Sequence, residues 1–194
     1  IVLLREYGIT DIVLCIGHKG EMIKDYFKDG ASLGVRITYS HEETQLGTGG
    51  AIRNALDLLD DHFIVLYGDA YLNINYRKII DFRKQDNSDA LLVVFKNEGN
   101  LDTSNVLFQD EKFVLYDKDN PSADMQYIDY GMSILSKKVI EEYIPGNTVY
   151  DLADCYNQLS KSNRLVGYEV QERFYEIGSF SGLDEFKNFI ETRR

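Results

Sequence analysis

Apolar and polar positions follow two rhythms along the first half of the chain. Solid apolar runs at residues 12–16, 63–67 and 90–95 leave no polar position to turn towards water, which is the pattern of strands buried on both faces. Between them the spacing becomes helical: Met22, Ile23, Tyr26 and Phe27 share one face of 21–27, and Ile52, Ala55, Leu56 and Leu59 one face of 51–59. A further strand is expected at 35–39 and a further helix at 76–84. This alternation predicts an α/β domain whose mixed, mostly parallel sheet is covered by helices on both faces. From residue 105 the rhythm shortens. Residues 106–108 and 113–116 flank Gln109 to Lys112 and read as a β-hairpin, followed by a polar loop with Pro121 and a strand at 130–135. Helices at 137–143 and 150–160, a strand at 165–168 and a last helix at 182–194 complete the chain. In that last helix Leu183, Phe186, Phe189 and Ile190 share a face, and Arg193 and Arg194 supply cations at its end. The opening residues, with Leu3, Leu4 and Tyr7 at helical spacing and Gly8 as a stop, read as the tail of a helix without a cap or an initiator Met. Preceding sequence is therefore expected.

Composition narrows the class. A chain of 194 residues is long enough to bury roughly 70% of its unfolded surface in one domain, with no disulfide or metal staple. Cys15 and Cys155 belong to no Cys/His cluster and are expected as two buried, reduced thiols. With 32 acidic against 21 basic residues, a net charge of −11 argues against wrapping a nucleic acid, which requires a dense Lys/Arg face. No apolar run approaches the roughly 20 residues of a membrane span, and no signal peptide is recognisable, so a cytoplasmic protein without a membrane partner is expected.

Three stretches carry more chemistry than folding requires. Leu46-Gly47-Thr48-Gly49-Gly50-Ala51 is a Gly-rich turn ahead of a helix. Glycines let a ligand press against backbone, and a helix N-terminus presents N–H groups; the alternative is a tight turn capped by Thr48. It has neither the Gly-Lys-Ser/Thr of a Walker loop nor a GxGxxG fingerprint. Tyr67-Gly68-Asp69 ends a buried strand, where ligands of open α/β sheets collect. A carboxylate there suits Mg²⁺ in phosphate chemistry, or caps the next turn. In Tyr175-Glu176-Ile177-Gly178 an acid stands between apolar residues; by itself it reads as a loop carboxylate.

In this order and spacing, Leu46 to Ala51, Tyr67 to Asp69, Tyr130-Gly131 and Glu176 to Gly178 resemble the nucleotidyltransferases that make NDP-sugars from a nucleoside triphosphate and a sugar 1-phosphate. The stretch from Tyr39 to Gly50 resembles the guanylyl-type members, such as the GDP-mannose pyrophosphorylases and heptose 1-phosphate guanylyltransferases. The resemblance covers almost the whole chain and implies a Rossmann-like nucleotide-diphospho-sugar transferase fold, with a nucleotide-binding half at 1–100 and a sugar-binding half at 101–194. It implies that Leu46, Gly47, Thr48, Gly49 and Gly68 hold the nucleotide, and that Asp69 and Glu176 bind Mg²⁺. Glu176 stands where the family has a second Asp, and the extra methylene moves its oxygens. Asp117-Lys118 resembles the family's Glu-Lys pair, with Lys118 catalytic at the sugar phosphate; Asn105 and Gly131 would lie near the sugar. Turn chemistry and a strand glycine are the alternatives for these four.

The chemistry implied needs no general base. A sugar phosphate oxygen is already anionic at pH 7, so positioning and charge neutralisation carry the in-line attack on the α-phosphorus, and none of His18, His41 and His62 is required. Glu42, five positions before Gly47, stands where uridylyl- and thymidylyl-type relatives carry Gln, and a carboxylate accepts both N1–H and N2–H₂ of guanine, which favours GTP. The family's first strand and its Gly-rich phosphate loop with Arg and Pro-Lys are not found in these residues. In such a sheet that strand is central, so a gap between neighbouring strands is expected. Two other functions remain open: a non-catalytic relative that binds sugar nucleotides, and a cytidylyltransferase acting on an alcohol phosphate such as phosphocholine. Homo-oligomerisation is a further possibility the family allows.

Overall fold

The computed structural model describes residues 1–86, 88–97, 103–109 and 112–192. The opening helix α1 (Val2–Glu6) stops as its pattern predicts: Gly8 takes a φ of +79°, and its N–H donates to Arg5 O at 2.9 Å. The chain continues through β1 (Asp11–Ile16), α2 (Gly20–Phe27), β2 (Arg36–His41), α3 (Gly47–Asn54), β3 (His62–Leu66), the short β4 (Ala70–Tyr71), α4 (Tyr76–Asp86) and β5 (Ala90–Lys96). The second half runs β6 (Val106–Gln109), β7 (Lys112–Tyr116), β8 (Tyr127–Ser136), α5 (Lys137–Tyr143), α6 (Leu152–Lys161), β9 (Val166–Val170), the short β10 (Tyr175–Glu176) and α7 (Phe180–Glu191). The expected hairpin is β6 and β7; its turn residues 110 and 111, like Arg193 and Arg194, lie outside the described residues.

The sheet is mixed, with one correction to the expected strand directions. Strands β3, β5 and β9 run the same way, but β8 lies antiparallel between β3 and β5, so among the described residues only the β5–β9 and β1–β2 neighbours pair in parallel. The antiparallel entry of β8 follows from its place after the β6–β7 hairpin, to which it also pairs at Val106 and Tyr127. The apolar run of β5 is buried on both faces because it is central. Leu92 and Val94 face a cluster with Ile52 of α3, Val139 and Ile140 of α5 and Leu159 of α6. Leu91 and Val93 face the other side, against Tyr76 and Ile79 of α4 and the α1 residues Leu3 and Leu4.

The expected gap is visible as a break in hydrogen bonding. Among the described residues, β1 and β2 form a sheet of their own, and β3 pairs with β8 alone. Ile16 and Ile37 are buried, but Ile12, Val13 and Leu14 of β1 and Phe63 to Leu66 of β3 are only half covered, whereas Leu91, Leu92, Val93 and Val94 are wholly buried. Cys15 shares this condition: it is exposed rather than buried, its Sγ 3.7 Å from Ala51 O, and only Cys155 fulfils the expected burial. No described helix is long and apolar enough to cross a membrane.

Candidate active site

The pair of carboxylates is assembled by the shortest strands in the molecule. The C-terminal end of β3 delivers Tyr67, Gly68 and Asp69, and the next two residues, β4, pair antiparallel with β10, Glu176 opposite Ala70 and Tyr175 opposite Tyr71. Ile177 N–H donates to Asp69 O at 2.8 Å, extending the ladder by one bond. A two-residue ladder is weak by itself. Here aromatic side chains of α7 clamp it: Phe189 stacks on Tyr175 at 4.3 Å between ring centres, and Phe186 lies 4.8 Å from Tyr71. The result brings both acids to Gly178, where an added Cβ would strike Glu176 Oε1 and lie 3.5 Å from Asp69 Oδ2. Ser179, which caps α7 through Gly182 N–H, also donates to Glu176 Oε2 at 3.2 Å. Gly68 opens onto space, with nothing within 4 Å of a built Cβ.

The Gly-rich turn is not a loop ahead of the helix, as its composition suggests, but the first turn of α3 itself. Its glycines face residues 148–152. Gly49 and Gly50 N–H both donate to Tyr150 O, at 2.9 and 3.1 Å, and Tyr150 N–H returns to Leu46 O at 2.8 Å. A Cβ on Gly47 would come within 2.7 Å of Tyr150 O, and one on Gly50 within 2.6 Å of Thr148 O. Close approach to protein backbone therefore accounts for these glycines, and Gly47 and Thr48 remain the donors of that turn not engaged by Tyr150. Thr48 does not cap its own helix; its hydroxyl donates to Asp151 Oδ1 at 2.9 Å and accepts from Leu152 N–H at 2.8 Å. Glu42 supports the same turn from the other side. Its Oε2 accepts Leu46 N–H at 3.1 Å, while Oε1 lies over Gly17, 2.8 Å from where a Cβ would stand.

Asn105 and Asp117, expected near the sugar, are engaged in holding backbone. Asn105 Oδ1 accepts Asp129 N–H at 3.1 Å and its carbonyl accepts Asp117 N–H, while Asp117 Oδ1 accepts the N–H groups of Asp119 and Asn120. Gly131 has a φ of +87° where the β5–β8 ladder shifts register, and its N–H donates to Asp129 Oδ1 at 2.8 Å. Tyr67 lies beside it, 3.4 Å from a Gly131 Cβ position. Burial, and then the charges of Asp129, Asp151 and Asp69, push the Tyr67 phenol far above its ordinary range. Lys118 Nζ pairs with Asp151 Oδ2 at 3.2 Å, at the edge of a cavity of about 360 Å³ lined by Asp117, Asp119, Asn120, Asp154, Asn157 and Lys161 among others.

Two acids here escape the sequence reading. Burial pushes the Asp129 carboxyl up to about 6, against the opposing pull of the Gly131 N–H and the Lys118 charge. Burial would also raise Asp151, but hydrogen bonds from Ala153 N–H, Thr48 and Lys118 and the ammonium charge hold it below the usual carboxylate range. The only local signal for Asp151 is its place before an apolar helical stripe, which announces an N-cap and nothing of its distant partners.

An α/β sheet with helices on both faces, acids gathered at the end of β3 and a glycine-rich helix start define a protein of the open-sheet class, in which ligands collect at strand ends. More narrowly, the sequence profile of the nucleotidyl transferase family matches residues 1–192, and the chain belongs to that family. It is 30% identical over 141 residues to a D-glycero-alpha-D-manno-heptose 1-phosphate guanylyltransferase of Campylobacter jejuni, covering 72% of this chain and 61% of that protein. It is 28% identical over 190 residues to a UTP–glucose-1-phosphate uridylyltransferase of Synechocystis, covering 89% and 48%. The chain thus spans about half to three fifths of the length of these relatives. Among solved structures, a putative glucose-1-phosphate thymidylyltransferase from Bacillus anthracis superposes with a TM-score of 0.81 over 97% of this chain and 79% of its own, at 18% identity, which speaks to the nucleotide-diphospho-sugar transferase fold.

Proposed function

We propose that the protein transfers a nucleotidyl group from a nucleoside triphosphate to a sugar 1-phosphate, releasing pyrophosphate, in the cytoplasm, to supply an NDP-sugar for polysaccharide synthesis. The observation that carries this reading is the convergence of Asp69 and Glu176 beside Gly178 at the end of β3. Two hard carboxylate oxygens fit Mg²⁺, which is commonly held by one or two carboxylates with substrate phosphates completing its shell. When bound, the ion would neutralise phosphate charge as attacking and attacked anions approach.

The chain's own residues would bind and orient. Gly47 and Thr48 offer N–H groups to the nucleotide, Gly131 and the polar cavity beside Lys118 suit a hydroxyl-rich sugar, and the Lys118 ammonium faces the sugar phosphate. Glu42 Oε1, the oxygen not engaged by Leu46, supports GTP as the preferred nucleotide, since a pyrimidine would leave it poorly satisfied. Relatives of both guanylyl and uridylyl type flank this reading, so the base is tested directly. The full-length protein, incubated with glucose 1-phosphate or mannose 1-phosphate and each of GTP, UTP, CTP and dTTP, is expected to form pyrophosphate fastest with GTP and to stop when EDTA removes the metal. A clear UTP preference refutes the base assignment; no product with any pair refutes the function.

A further inference from the structure

The residue that ties the two halves of this site together is Asp151. Its Oδ1 accepts the Thr48 hydroxyl at 2.9 Å and the Ala153 N–H at 3.0 Å, and its Oδ2 faces Lys118 Nζ at 3.2 Å. Thr48 belongs to the first turn of α3, on the nucleotide side; Lys118 follows the β6–β7 hairpin, on the sugar side. More than a hundred residues separate Thr48 from Asp151, so neither contact is a by-product of local chain geometry. Residues 148–152 strap the α3 start as well, through Tyr150 and through Leu152 N–H on Thr48 Oγ1.

We propose that Asp151 is a positioning residue that acts on both substrates with separate oxygens: Oδ1 holds Thr48 and the nucleotide turn, and Oδ2 holds Lys118 for the sugar phosphate. This rests on the nucleotidyl-transfer reading for the identity of the two ligands. The ion pair itself is worth little as stability, because the side chains are 58% and 48% exposed, so a stabilising role alone does not explain it. Its effect is on direction. One ammonium proton is fixed on Asp151, leaving the others for an incoming anion. Asp129, recessed beside Gly131, also feels the Lys118 charge, and Asp117, Asp119 and Asp154 line the same cavity, so without Asp151 the ammonium has competing acceptors.

The two oxygens can be separated by substitution. In Asp151→Asn an amide oxygen still accepts from Thr48 and Ala153, and Asn remains a good N-cap, so the fold and α3 are retained while the ion pair is lost. Asp151→Ala loses both. Binding of GTP and of mannose 1-phosphate or glucose 1-phosphate is measured separately by calorimetry on the full-length protein, so that failure of the transfer reaction does not obscure the result. The expected pattern for Asp151→Asn is GTP affinity within about twofold of wild type and sugar-phosphate affinity weaker by roughly three- to tenfold; Asp151→Ala weakens both. Lys118→Met is expected to reproduce the sugar-phosphate loss, and adding Asp151→Asn to it to produce no further loss. A sugar-phosphate affinity that is unchanged or tighter in Asp151→Asn overturns the proposal, as does an Asp151→Asn loss that persists without Lys118. Wild-type protein that binds both probes but forms no product refutes the transfer reading and leaves the division of roles standing. Wild-type protein that binds neither probe overturns both.

Discussion

Glu176 stands where the resemblance leads one to expect Asp, and its position has a structural explanation. Held by the β4–β10 ladder and by Ser179, it meets Asp69 beside Gly178 despite its longer side chain. Asp69→Asn is expected to lower turnover by about 100-fold or more at any Mg²⁺ concentration, and Glu176→Gln to raise the Mg²⁺ needed for half-maximal rate by roughly tenfold. A magnesium titration of each variant checks this; equal Mg²⁺ dependence in Glu176→Gln would remove Glu176 from the proposed metal site. Glu42 is testable through the base. Glu42→Gln still accepts Leu46 N–H, so α3 keeps its support, but a Gln presents a donor where guanine also presents donors, and the ratio of GTP to UTP turnover is expected to fall by about tenfold. Asp129 carries a pH signature. Because the fold raises its pKa from 3.8 to about 6, the folded state favours its protonated form. That stabilising contribution is complete below the unfolded value and is lost as pH rises through about 6. Asp129→Asn is therefore expected to melt a few degrees above wild type at pH 7.5, with the difference closing by pH 4. A variant less stable at pH 7.5 would show that attraction to Lys118 outweighs burial.

At the scale of elements, glycine spacing was readable and its purpose was not. Three glycines in four positions announce a crowded backbone, and the crowding is real, but what presses on them is residues 148–152. Nothing local in residues 46–51 points to a segment a hundred positions away, and for the same reason the helix begins at Gly47 rather than Ala51. Strands and helices with strong periodicity were legible to within a few residues, since burial of one face or of two dictates the pattern. The antiparallel direction of β8 was not, because alternation along a strand is the same whichever way it runs. Gly50→Ala tests the crowding: a Cβ 2.6 Å from Thr148 O forces backbone apart and is expected to cost about 1–3 kcal/mol in denaturant unfolding. Gly146→Ala, where nothing lies within 4 Å, is the neutral control.

Across the whole molecule, protection is unequal. In β5, Ala90 to Val94 are wholly buried between two apolar clusters, while β1 and β2 form a separate sheet in which Ile16 and Ile37 are buried but Ile12, Val13, Leu14 and Tyr39 are only half covered, and α7 has no buried residue. Native-state amide exchange is therefore expected to be slowest in β5 and β8 and faster by at least about a hundredfold in β1, β2 and α7. Uniform protection would mean that the molecule opens as one unit. The candidate site straddles this gradient. Gly131 lies in the protected sheet, and the second carboxylate hangs on a two-residue ladder clamped by a helix with no buried residue. That ladder also fixes an order of events in time. Asp69 leaves the ribosome more than a hundred residues before Glu176, and the two meet only when β10 has emerged and α7 has folded over it. Nascent chains, and products of early termination before Tyr175, hold half of the carboxylate pair however well their sheet has formed, so incomplete copies are unarmed.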